Sequence, residues 1–371
     1  MSKWQHREEG KRICKAVLEE KTKEELSELK NFLDSLLDVR KSEKLAKTYI
    51  QGTTKAISYN EVDKVFVDYR FEGTATGRLS CASYNAQKAM GVSFHTLPRS
   101  TTTNIRSVFT APQGWCFLAA DYAAMELRVL SHIAKEGRMQ TAFLEGQDLH
   151  SYTARLLFNK EKITKDERQI AKTVSFLIVY GGGAFNLSET MGISLKRADK
   201  IIGNYQNVYP AVFEYMEFIN EFIRSNGYAY TIFGRKRNLP DVYSKHNGVA
   251  NRALRQGLNF TIQSSASDIL LCSLVGLYKS INKLGMQSRI VGTVHDSIEF
   301  ISPPEEVEKL AELIYDELVN YPYIKEKFNI VLDVPLSIDL EIGHSFGDGK
   351  GVVFTEGKPM NVDDILCELF S

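Results

Sequence analysis

Arg168, Lys172, Phe176 and Tyr180 recur at four-residue steps with Gly181 following, and two isolated acids flank them in sequence. Asp121 ends one apolar run and Asp296 interrupts another. Residues four apart on an α-helix differ by only about 40° in direction, so the four side chains form one slowly winding stripe. Arginine and lysine offset polyphosphate charge, and phenylalanine and tyrosine offer flat faces to nucleobases. A carboxylate at a strand end is held rigidly with its oxygens accessible, as a hard cation such as magnesium requires. Cations, aromatics and carboxylates together are the equipment of template-directed nucleotidyl transfer.

Each piece also has a plainer reading. In CFLAADYAAMELR (116–128) Asp121 precedes a helix that carries Glu126 and Arg128, and Asp before a helix is commonly just an N-cap. The stripe taken alone is an amphipathic helix with a mixed polar face, although Ile170, Val174, Leu177 and Ile178 already supply a separate apolar face. Acidic turn residues are ordinary, but VGTVHDSIEF (291–300) sets His295-Asp296 between two very apolar runs. Carboxylates brought together by adjacent strands can hold two metal ions roughly 4 Å apart, stabilising both the attacking and the leaving oxygen.

The elements that must position these residues follow from periodicity. Apolar residues from Leu18 to Leu37 recur at three- and four-residue steps, predicting two charged helices over 7–48, followed by extended, Gly/Thr/Ser-rich chain over 49–110. A buried strand ending at Asp121-Tyr122 precedes a helix over 125–136, and long helices fill 149–226, broken after Tyr180 by three glycines. A helix over 247–283, a hairpin over 288–301, a helix over 304–318 and a strand over 336–342 complete an α+β chain.

Composition sets the bounds. The 371 residues carry 46 basic and 46 acidic side chains, so any nucleic-acid surface must come from local clusters such as Arg235-Lys236-Arg237, Arg252 with Arg255, or Lys41, Lys44 and Lys47. The longest apolar stretches fall short of a membrane span, and no leader is evident at the N-terminus. Five scattered cysteines without a Cys-x-x-Cys pair suit reduced thiols in a cytosol-like compartment.

Taken in order, the three segments resemble the polymerase motifs of family A DNA polymerases, the bacterial DNA polymerase I group with its phage and mitochondrial relatives. TATGRLSCASYNAQ (74–87), Asn104-Ile105-Arg106 with Phe109, DLH (148–150), FGRKRNLPD (233–241) and Arg255-x-x-x-Asn259-x-x-x-Gln263 resemble further family signatures, so the likeness covers roughly 35–350. It implies a right-hand fold with an antiparallel palm sheet, helical fingers and a short helical thumb. The boundaries expected are thumb 1–60, first palm part 61–145, fingers 146–245, second palm part 246–350 and a C-terminal tail 351–371.

The resemblance also implies roles. Asp121 and Asp296 would carry two magnesium ions, with the Tyr122 carbonyl as a further ligand, and would be catalytic together with Lys172. Arg168, Lys172 and His150 would bind the triphosphate of a deoxynucleotide, and Phe176 and Tyr180 would line its pocket. Glu126 would fill the space of a 2′-hydroxyl and so exclude ribonucleotides. Phe176, rather than Tyr, implies discrimination against dideoxynucleotides. Arg78, Asn85, Gln87, Arg255, Asn259, Gln263 and His295 would touch primer-template DNA.

Two departures are visible. Ser297 stands where the family usually has Glu, a feature shared with single-subunit RNA polymerases, which lack the counterpart of Glu126. A ribonucleotide polymerase and a catalytically impaired primer-template binder are therefore the alternatives. About 75 residues precede the TGR segment, too few for a thumb plus an exonuclease domain, so proofreading is expected on a separate chain. A monomer of compact phage or plasmid type in the bacterial host cytoplasm, with the tail as the place where a processivity factor would dock, completes the expectation.

Overall fold

The computed structural model describes residues 23–60, 63–71, 73–83, 92–98 and 104–371, in two compact units. The first comprises residues up to 69 together with 81–97. Helix α1 (Lys23–Lys44) runs through a wide turn (Leu45–Ile50) into α2 (Gln51–Asn60), and β1 (Val67–Arg70) pairs with β2 (Ser80–Ser83). The helical run therefore continues past the expected end at 48, because the Gln51 N–H reaches back to Ala46 O and carries the backbone through. Tyr49 is buried there and its hydroxyl donates to Thr96 O at 2.5 Å. Phe32, Leu33, Leu36 and Leu37, the apolar stripe of α1, are exposed.

The second unit holds residues 70–80 and 98–371. At its centre lies β3 (Cys116–Tyr122). It is followed by α3 (Met125–Ala134), α4 (Gly137–Leu144), α5 (Leu149–Phe158), α6 (Lys165–Val179), α7 (Ala184–Met191), α8 (Leu195–Val208) and α9 (Pro210–Asn226). A small ribbon of β4 (Tyr228–Tyr230) and β5 (Lys236–Asn238) leads to α10 (Asn247–Asn259), a wide turn (Phe260–Ser264) and α11 (Ser265–Lys283). Then come β6 (Arg289–Val294), β7 (Ser297–Ser302), α12 (Val307–Tyr315), α13 (Pro322–Phe328), β8 (Ile338–Gly343), β9 (Lys350–Gly351), the ribbon of β10 (Phe354–Thr355) and β11 (Lys358–Pro359), and α14 (Val362–Phe370).

The main sheet is antiparallel in the order β6-β7-β3-β8-β9. Successive strand residues face opposite sides, and the register makes the two sides chemically distinct. Leu118, Ala120, Ile298, Phe300, Leu340 and Ile342 share one side and are buried in the core. Asp121, Ser297, Glu299, Asp339 and Glu341 share the other.

The run 247–283 is long and apolar enough, with a window of mean hydropathy 1.3, to cross a membrane by composition, contrary to the sequence estimate. Since 72% of that window is buried within the fold, core packing accounts for the apolarity. The C-terminal residues form α14, with Val362 and Ile365 buried and Leu369 O within 2.8 Å of His344 Nε2.

Leu118, fully buried in the central strand, tests the frame. Leu118→Ala should cost about 2–5 kcal/mol in denaturant unfolding, and a smaller loss would place it outside a close-packed core.

Candidate active site

Three elements converge where β3 ends. Asp121 lies opposite Ser297 on one side and Asp339 on the other. Asp296 occupies the two-residue turn joining β6 and β7, and the Tyr122 N–H donates to its carbonyl at 3.2 Å. His295, first in that turn, has φ +61°. A left-handed backbone at a non-glycine residue costs on the order of 1 kcal/mol or more, and here it buckles the hairpin tip so that Asp296 follows immediately. The Tyr122 side chain is buried on the core side, its hydroxyl 3.1 Å from both Ser273 Oγ and Leu318 O, which fixes the backbone of the strand end.

The helix that follows is held as firmly. Ala124 is left-handed (φ 53°), and its carbonyl accepts from the N–H groups of Leu127 and Arg128 at 3.1 Å. Arg128 is buried, donating to Ala123 O and Pro335 O while stacking 4.4 Å from the centre of the Phe143 ring. Desolvation lowers its guanidinium to about 10. Arg128 is thus a staple for the strand exit, and Glu126, two residues before it, is only 5% exposed.

Arg78 joins the acids. Its Nη2 donates to Glu126 Oε1 at 2.7 Å and to Asp296 Oδ1 and Oδ2 at 3.1 and 3.4 Å. Gln263 Nε2 donates to the same Glu126 oxygen at 3.0 Å and lies 3.4 Å from the Tyr180 hydroxyl. Burial, then the Glu126 charge, raises the Tyr180 phenol.

The loop carrying Arg78 is anchored by backbone acceptors: Ser264 Oγ donates to Thr76 O at 2.5 Å and Ser267 Oγ to Gly77 O at 3.2 Å. Arg235 holds Asp268 at 2.7 Å and also reaches Thr76 O at 3.5 Å. At Gly77 (φ +72°) a Cβ would fall 2.3 Å from Arg235 Nη1, so a side chain is excluded. Arg235, one of the basic cluster considered for a nucleic-acid surface, is therefore engaged within the fold.

The stripe is on α6, capped by the reciprocal Thr164–Glu167 box, with Tyr180 just past its last turn. Arg168 and Lys172 are exposed, Phe176 is half-buried, and Val174 and Ile178 point into the core. Asp148 binds Arg168 at two points, 2.8 and 3.0 Å, while capping α5 through Ser151 N at 2.9 Å. Partial burial works against ionisation of Asp148, but the Arg168 and Ser151 hydrogen bonds hold its carboxyl far below the usual range.

Desolvation, with the nearby Arg168 and Lys172 charges, lowers His150 to about 4 against the pull of Asp148. The ring, 5.9 Å from that of Phe176, is neutral at physiological pH, and its buried Nδ1 has no hydrogen-bond partner among the described residues. Beyond the stripe, Gly181 (φ +66°) lies against Arg255, whose Cγ would be 2.9 Å from an added Cβ. Tyr180, Arg255 and Asn259 line a cavity of about 310 Å³ together with Thr76, Arg237 and Arg252. Asn85 and Gln87 lie outside the described residues.

The donor set fits a divalent metal. Asp121, Asp296 and the Tyr122 carbonyl offer oxygen donors alone, the kind a hard cation such as magnesium takes; among the described residues no three His, Cys, Asp or Glu side chains form a cluster. Both Asp296 oxygens already accept from the Arg78 cation, so that carboxylate is posed for positive charge.

The sequence reading passed over three features. The Asp148 clamp had its signal in DLH, but its pairing with Arg168 spans 20 residues. The Arg235–Asp268 pair carried no local signal. Glu299 was hidden in SIEFIS (297–302), where alternation alone places it beside Ser297. It is 2% exposed, its Oε1 lies 2.5 Å from Ser297 Oγ, and its Oε2 has no hydrogen-bond partner among the described residues. Burial pushes its carboxyl up to about 7, with Ser297 opposing and the Asp121 charge adding.

Residues 2–348 match the family model described as DNA polymerase family A. The chain belongs to that family. DNA polymerase I of Chloroflexus aurantiacus is 33% identical over 330 residues, covering 88% of this chain and 33% of that protein. DNA polymerase I of Geobacillus stearothermophilus is 33% identical over 330 residues, covering 88% and 36%. The chain thus spans about a third of the length of these curated relatives.

Among solved structures, the polymerase domain of Pol1 from M. smegmatis, in complex with DNA primer-template and dNTP, superposes with a TM-score of 0.76. It has 28% identity, covering 85% of this chain and 53% of that one. The fold is accordingly the α+β right-hand polymerase fold, with the antiparallel sheet as palm and helical fingers and thumb.

Glu299 gives family member and palm alike a pH-dependent stability of defined sign. Its carboxyl titrates near 7 when folded against about 4.5 ordinarily, so between these values the folded chain retains a proton that the unfolded chain releases. Stability should fall as pH rises from about 4.5 to about 7 and level off above, by on the order of 3 kcal/mol at most. Melting temperatures at pH 5.5 and 8 should differ more in the wild type than in Glu299→Gln; an equal difference would reject this assignment.

Proposed function

We propose that the chain is a template-directed DNA polymerase that adds deoxynucleotides to a primer 3′ end. The observation that carries this reading is the meeting of Asp121, Asp296 and Glu126 at one end of the palm sheet, with the Arg168–Tyr180 stripe on the adjoining helix. Two magnesium ions, when bound by Asp121 and Asp296 with the Tyr122 carbonyl, supply charge stabilisation to the attacking and leaving oxygens. In the reaction the primer 3′-oxygen attacks the α-phosphorus and pyrophosphate leaves.

The protein's own groups do the positioning. Arg168 and Lys172 face the triphosphate, where Lys172 offsets the charge that builds on the departing pyrophosphate. His150, neutral, contributes a hydrogen bond rather than charge. Phe176 and Tyr180 offer faces to the base and sugar. Glu126 is held by Arg78 and Gln263, so its carboxyl cannot swing aside to admit a 2′-hydroxyl. Arg255, Asn259 and Arg237 line the cavity next to Tyr180 and suit the template strand, while Gln263 and His295 suit the primer end. The helical block 146–245 is assigned as fingers, and the stretch up to 60 as part of the thumb.

Ser297 favours one alternative, ribonucleotide polymerisation, and Glu126 opposes it. Primer extension with magnesium decides. Asp121→Asn and Asp296→Asn should each lower extension by about a thousandfold or more, since a metal supplies several kcal/mol to the transition state, while binding of the primed duplex is retained. Extension that survives either change would defeat the metal assignment; wild type that binds but never extends would leave a scaffold. For the sugar, the wild type should prefer deoxynucleotides and Glu126→Ala should lose much of that preference. Equal use of both by the wild type would revive the ribonucleotide reading.

A further inference from the structure

We propose that Glu299 is a positioning residue of the metal site, supplying from the next pair along β7 the carboxylate that Ser297 does not. This rests on the two-carboxylate metal reading given above.

The argument begins with register. Ser297 lies opposite Asp121 and Glu299 opposite Ala119, so side chains two apart share a face and Glu299 is the diagonal neighbour of Asp121. Such diagonal positions are roughly 7–8 Å apart, within reach of long side chains. The alanine opposite Glu299 leaves room for the carboxyl to lean toward Asp121, whose charge it feels.

Its surroundings point the same way. A buried polar atom without a partner is rare and needs a reason, and among the described residues Glu299 Oε2 is such an atom, on a residue only 2% exposed. The other oxygen shares one proton with Ser297: Ser297 Oγ is 3.0 Å from Val294 O and 2.5 Å from Glu299 Oε1, and a hydroxyl donates only once. Ser297 thereby fixes the rotamer of Glu299 without completing its hydrogen bonding. A methionine of similar length would pack there without burying an ionisable group, and the nearby Arg106 charge only partly offsets that burial. Beside divalent metal held by Asp121 and Asp296, that oxygen would add negative charge to the site.

Mn²⁺ binding to the chain, counted from the free-ion paramagnetic signal, tests this directly. Mn²⁺ should bind the wild type and be lost in Asp121→Asn. Glu299→Gln should weaken binding about tenfold, the usual scale for groups supporting metal ligands, and raise the Mg²⁺ needed for half-maximal extension more than it lowers the rate at saturating Mg²⁺. Ser297→Glu combined with Glu299→Val, which moves the carboxyl one pair along the strand, should restore affinity.

Folded Glu299→Gln that binds Mn²⁺ as the wild type does would overturn the proposal while leaving the metal reading intact; wild type that binds none would defeat both. If Glu299→Gln fails to fold, Glu299→Asp, which withdraws the carboxyl by one methylene, should weaken Mn²⁺ binding by a smaller factor, and unchanged binding there overturns the proposal equally.

Discussion

Like charges at adjoining strand ends repel, and much of this molecule is arranged to keep Asp121 and Asp296 where they are. The backbone does the first part: antiparallel pairing of β3 with β7 and the Tyr122 N–H bond to Asp296 O fix both main chains. The strained His295 and the left-handed Ala124 are tolerated because buried anchors on either side, Tyr122 and Arg128, over-determine them. Arg78 then supplies positive charge to Asp296 and Glu126 together. Opposite charge at hydrogen-bond distance offsets the repulsion between the acids and holds their side chains in one orientation.

The same device recurs on the helical side, with the signs exchanged. Arg168 projects from an exposed helix face where a long side chain would otherwise sample many rotamers. Asp148 restrains it at two points, and Asp148 is itself immobilised as the cap of α5. The bidentate geometry adds direction as well as attraction. Lys172, one turn on, is exposed and is therefore the more mobile of the two charges. A triphosphate would meet one pre-aimed cation and one adaptable one.

Much of this was legible in sequence because it is local. The stripe on α6, the apolar run ending in Asp121, the His295-Asp296 turn and the long helix over 247–283 are each written within a few consecutive turns or strand residues, and the structure has them in place. What stayed hidden depends on register between distant segments. Arg78 meets Asp296 across 218 positions, and Arg235 reads as one of three adjacent basic residues until Asp268 and the Thr76 carbonyl are brought to it. The helical continuation through 51–60 was missed for a different reason. Gly52 and two threonines argue against a helix by propensity, which is a weak force beside the burial of Tyr49 and Ala56.

Ser297 shows how a local reading misleads even when its letters are right. Judged by its own position, it removes a carboxylate from the site. Judged by the sheet, it is one of two residues that β7 presents toward Asp121, and the other is an acid. A strand repeats its facing every second residue, so the property that matters is the composition of the face and not of the single site. Shifting an acid by two keeps it on that face, whereas shifting it by one would bury it among Leu118, Phe300 and Ile342, where an ionised carboxylate is excluded. With serine at 297, position 299 is the next place along β7 that sets an acid on the Asp121 face, and Glu299 occupies it.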